Sequence, residues 1–395
     1  MLDLLIKSLR HNIIKYRNKE YLVAGLVQFK TIWIRDACFC SDTLVEIGLE
    51  HIVRNTIDIY LRYLIKDENG LYYGPKGLDT MNLEWRTVKM SIRHLFNFDR
   101  DLSYSGHRYY EPFDKDTELI ALYKDSRNSI AIDSNVLIVL SIFSLRHGSD
   151  YYIYIEKLLK WYSQFKNKHG LIVKGPYSDW KDSQRREGIV FSINLLYYVA
   201  LQKFDNKIDS VSKVFKINLP ILKETIINTF FDRESNLFRA SVSKKYISLD
   251  DNLFSIKYDF YRNKQVYRAL KNSKLWSQSE LKIPGFANEL NCISYDEIHW
   301  QVKTGFLEEY HVSLYWGWLI AFSGIIAFKM SDPDESLRIY NIIKNLLKRD
   351  KHLGEVYSPV EGLPLFESMT YKSEIPFSMA LCYAISLSKL VEGSL

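Results

Sequence analysis

The run Gly175-Pro176-Tyr177-Ser178-Asp179-Trp180-Lys181-Asp182-Ser183 sets two carboxylates on either side of an indole. Carboxylates beside aromatic rings on a loop are what sugar recognition requires, because a pyranose offers an apolar face for stacking and hydroxyls for hydrogen bonding. Asp182-Ser183 ahead of an expected helix also reads as an ordinary N-cap, in which a side-chain oxygen accepts a backbone N–H. Other segments share the bias. Glu355 lies in Gly354-Glu355-Val356-Tyr357, and His299-Trp300 and the cluster His311, Trp316 and Trp318 read as lining for a pocket or as core packing. Asp133 and Asn135, ahead of another helix, either bind hydroxyls or cap it, and Leu249-Asp250-Asp251-Asn252 reads first as a cap.

Several other chemistries are not indicated. No His/Asp/Glu set has metal spacing and no Gly-rich phosphate loop follows a strand, so neither a metal nor another cofactor is expected. Cys38 and Cys40 lack a second pair or a nearby His, and with Cys292 and Cys382 they read as free thiols of a reducing, cytoplasmic compartment. The 53 basic and 47 acidic residues, net charge +6, are interleaved instead of clustered, which argues against nucleic acid as a partner. The first twenty positions show no secretory leader. The most apolar stretch, 314–328, is shorter than the roughly 18 residues of a membrane span, so no membrane partner is expected.

The elements that must carry these residues are helices. With 47% hydrophobic and 25% charged residues the chain is globular. Apolar residues recur at helical spacing in pairs of segments: 37–47 with 51–65, 134–146 with 151–165, and 189–201 with 211–229, followed by 252–270, 312–330, 336–347 and 376–390. The first twenty residues read as an amphipathic helix, and 237–247 is the one convincing strand run. Similar connectors return between pairs, at Asn69-Gly70-Leu71-Tyr72-Tyr73-Gly74, at 169–175, at 235–240 and at 352–357. Their placement predicts helical hairpins repeated around a ring, about twelve helices in one domain spanning 1–395. The helix-poor stretches 70–129, 170–188 and 285–310 are long enough to be functional, and the first raises the question of a lid.

Three motifs in order resemble the α/α-toroid glycosidases of the glucoamylase, trehalase and glycogen-debranching amylo-α-1,6-glucosidase group. Ile32-Trp33-Ile34-Arg35-Asp36-Ala37 is similar to the Trp-x-Arg-Asp signature whose Arg and Asp hold the terminal sugar. Asp179-Trp180-Lys181-Asp182-Ser183, with Asn194 in the following helix, resembles their Trp-Met-Asp-Ser segment, and Gly354–Pro364 their late Glu-x-Tyr element, which brings in Tyr357. Lys181 stands where the family has Met, Ser192 where an acidic residue is usual, and 310–318 follows the family's Tyr-His-Asn-Gly-x-x-Trp-Pro-Trp only loosely. The resemblance implies an all-α (α/α)6 barrel with short β-hairpin insertions. It covers the chain from about residue 25 onward and leaves no room for the β-sandwich of many relatives, which weighs against long polymers.

The same resemblance implies an inverting glycoside hydrolase with Asp182 as general acid and Glu355 as the base that activates water. Asp179 is a second candidate acid. Trp33, Arg35, Asp36, Asp133, Asn135, Tyr177, Asp179, Trp180, Lys181, Asn194, His299, Trp300, His311, Trp316, Trp318 and Tyr357 would surround the sugar. The expected substrate is an α-glucoside or related small glycoside, with trehalase-like or glycosyl-glycerate hydrolysis as the runner-up. Lys181, Arg185 and Arg186 lean toward something anionic. Arg35 with Asp36 also reads as an ion pair at a helix start, and Glu355 as a solvated loop residue. A lyase or epimerase with a Tyr or His base, or a toroid without catalysis, are the readings of another class.

Overall fold

A computed structural model describes the chain apart from residues 27–28, 81–91, 93–116, 125–128, 209–210, 278–282, 305–306 and 395. Most of the segment that raised the question of a lid lies outside the described residues. Among the described residues, six helical stretches form an inner set, of which Ser134–Ser144, Gly317–Lys329 and Ser378–Glu392 are apolar nearly all round: Ile34–Phe39 running on into Ser41–Glu46, Ser134–Ser144, Phe191–Ile208, Leu249–Lys257, Gly317–Lys329 and Ser378–Glu392. A helix apolar all round has no face to give to water and must be enclosed. In Ser134–Ser144 every residue from 134 to 142 is buried, and in Leu249–Lys257 every residue from 249 to 256. Each of these stretches contacts the next, and the last contacts the first.

A second set of helices backs the first: Glu50–Arg62, Tyr152–Lys160, Leu219–Phe230, Asn263–Lys271, Pro333–Asp350 and Leu2–His11, each against one inner helix. These are amphipathic. Pro333–Asp350 buries Ile339, Tyr340, Ile343, Leu346 and Leu347 on one stripe, the three-and-four spacing of a single helix face. The N-terminal helix packs on the C-terminal one, so the two chain ends complete the last pair.

The connectors repeat a device that ties each inner helix to the turn before it. Asn194 donates to the carbonyls of Ile172 and Val190 and accepts from the Ile172 N–H. Asn252 does the same with Phe238 and Ser248, and Asn135 with Tyr72, Leu158 and the Gly74 N–H. Carboxamides suit this role because they supply donor and acceptor together to irregular buried backbone. At the turns, Asp67 and Asn167 each accept from the N–H groups two and four residues on.

Four sequence expectations are corrected. The N-terminal helix stops at His11, and a hairpin Ile13–Tyr16/Lys19–Leu22 follows, because Arg17 and Asn18 both adopt positive φ (44° and 63°), as a two-residue turn between twisted strands demands. The expected helix 252–270 is two helices, broken where Asp259 and Arg262 turn left-handed and Phe260 plugs the core. The stretch 312–330 begins not as helix but as strand Tyr315–Trp316, paired with Val356–Tyr357. The expected strand 237–247 shrinks to Leu237–Phe238 and a single bridge from Arg239 to Ile247. Among the described residues no helix is long and apolar enough to cross a membrane.

Candidate functional site

The chemistry-bearing loops all enter inner helices at their N-terminal ends. Arg35 and Asp36 occupy the first turn of Ile34–Phe39, Asp133 is the residue before Ser134–Ser144, and Trp316 immediately precedes Gly317–Lys329. Helix N-termini carry partial positive charge and unpaired N–H groups, so carboxylates gather there at reduced cost.

Arg35 is the hub of one wall. Its Nε and Nη2 grip Asp133 at 2.7 and 3.1 Å, and its Nη1 lies 3.5 Å from Asp182. Asp182 caps nothing, since the next inner helix begins only at Phe191. Its side chain keeps 41% exposure with protein packed around the rest of it. That enclosure pushes its pKa up, against the opposing charges of Arg35 and Lys76. Asp36, next to it, is pushed up to about 7 by burial, with Asp182 and Asp133 adding repulsion.

Glu355 comes from the other segment and lies within electrostatic reach of Asp36. It is buried, and both of its oxygens accept a phenol O–H, one from Tyr310 and one from Tyr371. Burial raises its pKa to about 8 while the two phenols, by hydrogen-bonding the charged form, pull it back; Glu374 and Asp36 add like charge. Asp36 therefore feels both Asp182 and Glu355, and Tyr310 lies within electrostatic reach of Asp182 as well. Glu374 anchors the far side, its carboxylate accepting the N–H groups of Leu26 and Phe29 and its carbonyl accepting the Glu355 N–H.

Asp179 and Asp182 are opposites in spite of their spacing. Asp179 is buried on Arg186 (2.7 Å) and Lys174 (3.3 Å), which hold its carboxyl far below the ordinary range and leave it no proton to give. Lys181 is fully buried; its ammonium contacts Asp250 (2.7 Å), Ser248, Asn288 and the Ala287 carbonyl. Arg186 is spent on Asp179 and Arg185 on Glu187, so the lean toward an anionic substrate drawn from these three residues finds each charge already paired. Asp250 and Asp251 stand within the helix, not at its cap.

Trp180 is buried; it donates to Asp250 and sits edge-on to His311, Trp316 and Trp318. His311 stacks on Trp316 and shares a hydrogen bond with Ser183, and burial keeps its ring neutral. Trp318 is core on an inner helix. Asn135 and Asn194 are consumed by connector backbone, and the Tyr357 hydroxyl by the Gly354 N–H. Trp33 lies beneath the Lys76 amine, Tyr177 sits edge-on to His299, and Trp300 stands open to solvent. Sequence reading missed Tyr310, Tyr371 and Glu374 as site residues. Tyr310 had a signal, its place beside His311; Tyr371 and Glu374, in a loop without periodicity, had none.

No family model and no curated relative matches the chain. Its fold is nevertheless that of several solved glycosidases. A rhamnosidase from Klebsiella oxytoca with rhamnose bound superposes with a TM-score of 0.60 at 9% identity, over 100% of this chain and 63% of its own. A GH63 mannosylglycerate hydrolase from Thermus thermophilus in complex with Tris gives 0.60 at 8% identity, over 97% and 98%. A glycosidase variant in complex with glucose gives 0.56 at 11%, over 99% and 98%. At such identities the likeness is one of fold.

Proposed function

We propose that the chain is an inverting glycoside hydrolase, residues 1–395 forming one (α/α)6 toroid that acts in the cytoplasm on a small α-glucoside or related glycoside. The closed succession of six inner helices, each backed by an outer one, supports the toroid. Four free cysteines fit the compartment. Asp182 is the general acid: its proton passes to the glycosidic oxygen as the bond to the anomeric carbon breaks. A water held by Glu355 attacks that carbon from the opposite face and gives its proton to the carboxylate. Inversion needs about 6.5–9.5 Å between the two carboxyl groups to admit the water.

The observation that carries this reading is the double acceptor at Glu355. Two O–H groups donated to its oxygens favour the ionised form that a base requires, against the burial that raises its pKa to about 8, while Asp182 keeps a part-exposed carboxyl with its pKa raised, as an acid requires. Arg35, locked by Asp133, and Asp36 form the wall for sugar hydroxyls. Trp33 and Trp300 supply apolar surface. A glycosyl-glycerate substrate is the second reading, favoured by the near-complete mutual coverage with a mannosylglycerate hydrolase.

The test is a panel of α-glucosides, trehalose-type disaccharides and glycosyl-glycerates, with released sugar measured and the product anomer followed by NMR. Release of the inverted anomer is expected. Retention of configuration overturns the mechanism, and no release from any member overturns the hydrolase assignment.

A further inference from the structure

The segment after the acid carries an aromatic ladder that ends in a bare ring. Residues 297–299 run antiparallel to the acid segment: the Arg185 N–H donates to the Glu297 carbonyl, Gln184 bridges Ile298, and the His299 N–H donates to the Ser183 carbonyl at 2.8 Å. The next residue after His299 is Trp300 and the residue before Ser183 is Asp182. Trp300, which opens the short helix Trp300–Thr304, and Asp182 are thus each one residue, about 3.8 Å of chain between Cα atoms, beyond the last hydrogen bond of this pairing.

Tyr177, from the acid loop itself, packs edge-on to His299 (4.8 Å between centroids, 89° between planes), and His299 lies nearly parallel to Trp300 (6.1 Å, 28°). The indole thus lies along the buried His299 ring, itself held by buried Tyr177, while Trp300 keeps 49% exposure. The neighbouring exposed ring, Tyr295, is covered by the Lys303 ammonium at 4.1 Å from its centroid. Trp300 is left as a rigid, supported, open-faced platform beside the residue proposed to protonate the leaving group. Rigid aromatic surface is what binds the apolar face of a sugar ring with little loss of side-chain freedom.

Building on the hydrolase reading above, we infer that Trp300 is the stacking platform for a second sugar ring on the leaving-group side of Asp182, so that the substrate is a di- or oligosaccharide and not a glycoside of a small acid. The leaving-group ring lies against Trp300 while the glycosidic oxygen lies against Asp182. Lys181, Arg185 and Arg186, the cations of the same segment, are already paired with Asp250, Glu187 and Asp179, which removes them as partners for a carboxylate aglycone.

The experiment compares Trp300→Ala and Trp300→Tyr with the natural chain on an α-linked glucose disaccharide, an α-glucosyl fluoride, which has no second ring, and a glucosyl-glycerate. In Trp300→Ala, kcat/KM on the disaccharide is expected to drop roughly tenfold more than on the fluoride, and Trp300→Tyr to restore most of the difference. An equal drop on both substrates, or none, overturns the platform, as does a preference of the natural chain for the glucosyl-glycerate over the disaccharide. A calorimetric titration of the Asp182→Asn chain with the disaccharide reads binding without turnover. Affinity that Trp300→Ala weakens supports the platform even if the natural chain hydrolyses nothing, in which case only the hydrolase reading is lost. Absent binding, or affinity indifferent to Trp300, overturns it.

Discussion

Ser183 Oγ and His311 Nδ1 share a buried hydrogen bond, and the residues that precede each of them are Asp182 and Tyr310. Because the Tyr310 hydroxyl donates to Glu355, one short chain of contacts ties the proposed acid to the proposed base: Asp182 by peptide bond to Ser183, Ser183 to His311, His311 by peptide bond to Tyr310, and Tyr310 to Glu355. Removing the link with Ser183→Ala leaves a buried imidazole nitrogen unpaired, at a cost of about 1–3 kcal/mol in stability. The larger expected effect is on geometry: kcat falls while KM changes little, because the spacing between the two carboxyls loosens and not the sugar wall. Steady-state kinetics beside urea unfolding separates the two. An unchanged kcat in a destabilised variant means the link serves the fold alone.

Asp182→Asn and Glu355→Gln each remove one proton-transfer group while keeping shape. Turnover is expected to fall roughly 10²–10⁴-fold in each, with the unfolding midpoint close to that of the natural chain. Asp179→Asn behaves differently. It strips Arg186 and Lys174 of their shared carboxylate and is expected to lower the midpoint, which a thermal scan resolves before any assay.

Much of the architecture was legible in the sequence because several inner helices, such as Ser134–Ser144 and Gly317–Lys329, are apolar nearly all round and the outer ones are striped, a contrast that burial enforces. Two of the connectors were legible too, since each needs an Asx turn and a left-handed glycine, Gly70 and Gly170 having φ of 73° and 78°. At the proposed site, what the sequence offers is local: Arg35 beside Asp36, and the charged run Asp179–Ser183. The site was not legible where a role depends on which partner a side chain meets. Lys181 resembled a ligand for an anion and is instead the counter-ion of Asp250; Trp180 resembled an exposed platform and is the hub of a buried aromatic cluster, while Trp300 holds the open face. Tyr371 reaches Glu355 from a loop whose course no periodicity reveals.

Lys181 and Asp250 form a fully buried pair. Lys181→Met leaves the Asp250 carboxylate facing only the Trp180 N–H, and a loss of about 3–5 kcal/mol is expected, as for other broken buried pairs. The double variant Lys181→Met with Asp250→Asn has no uncompensated charge and should recover a large part of that loss. Denaturant midpoints of the singles and the double form the cycle. Additive losses would mean that the two charges do not depend on each other.

Tyr371 donates to the charged form of Glu355, so Tyr371→Phe removes a contact that lowers the Glu355 pKa. The folded value, about 8 in the natural chain, is expected to rise further. Since the base works only when ionised, the limb of the kcat/KM profile on which activity grows with pH moves to higher pH in the variant. At pH 6 the variant is therefore slower than the natural chain by a larger factor than at pH 9. A profile that keeps its shape and merely drops in height would leave Tyr371 without influence on that ionisation.

Asp36 links site chemistry to stability. Its unfolded pKa is near 3.9, and burial raises the folded value to about 7, so between those values the folded state holds a proton that the unfolded state has released. The contribution is fully present below about pH 4 and is lost as pH rises through 7, making stability fall over that window. Asp36→Asn cannot ionise. The difference in unfolding free energy between Asp36→Asn and the natural chain should shift in favour of the variant as pH goes from 4 to 8 and level off above, with urea titrations at five pH values as the measurement. A difference independent of pH would mean that Asp36 titrates in the folded chain as it does in the unfolded one. Because Asp36 also lies within electrostatic reach of both Asp182 and Glu355, the same substitution is expected to depress turnover, so the variant gains stability at pH 8 where it loses activity.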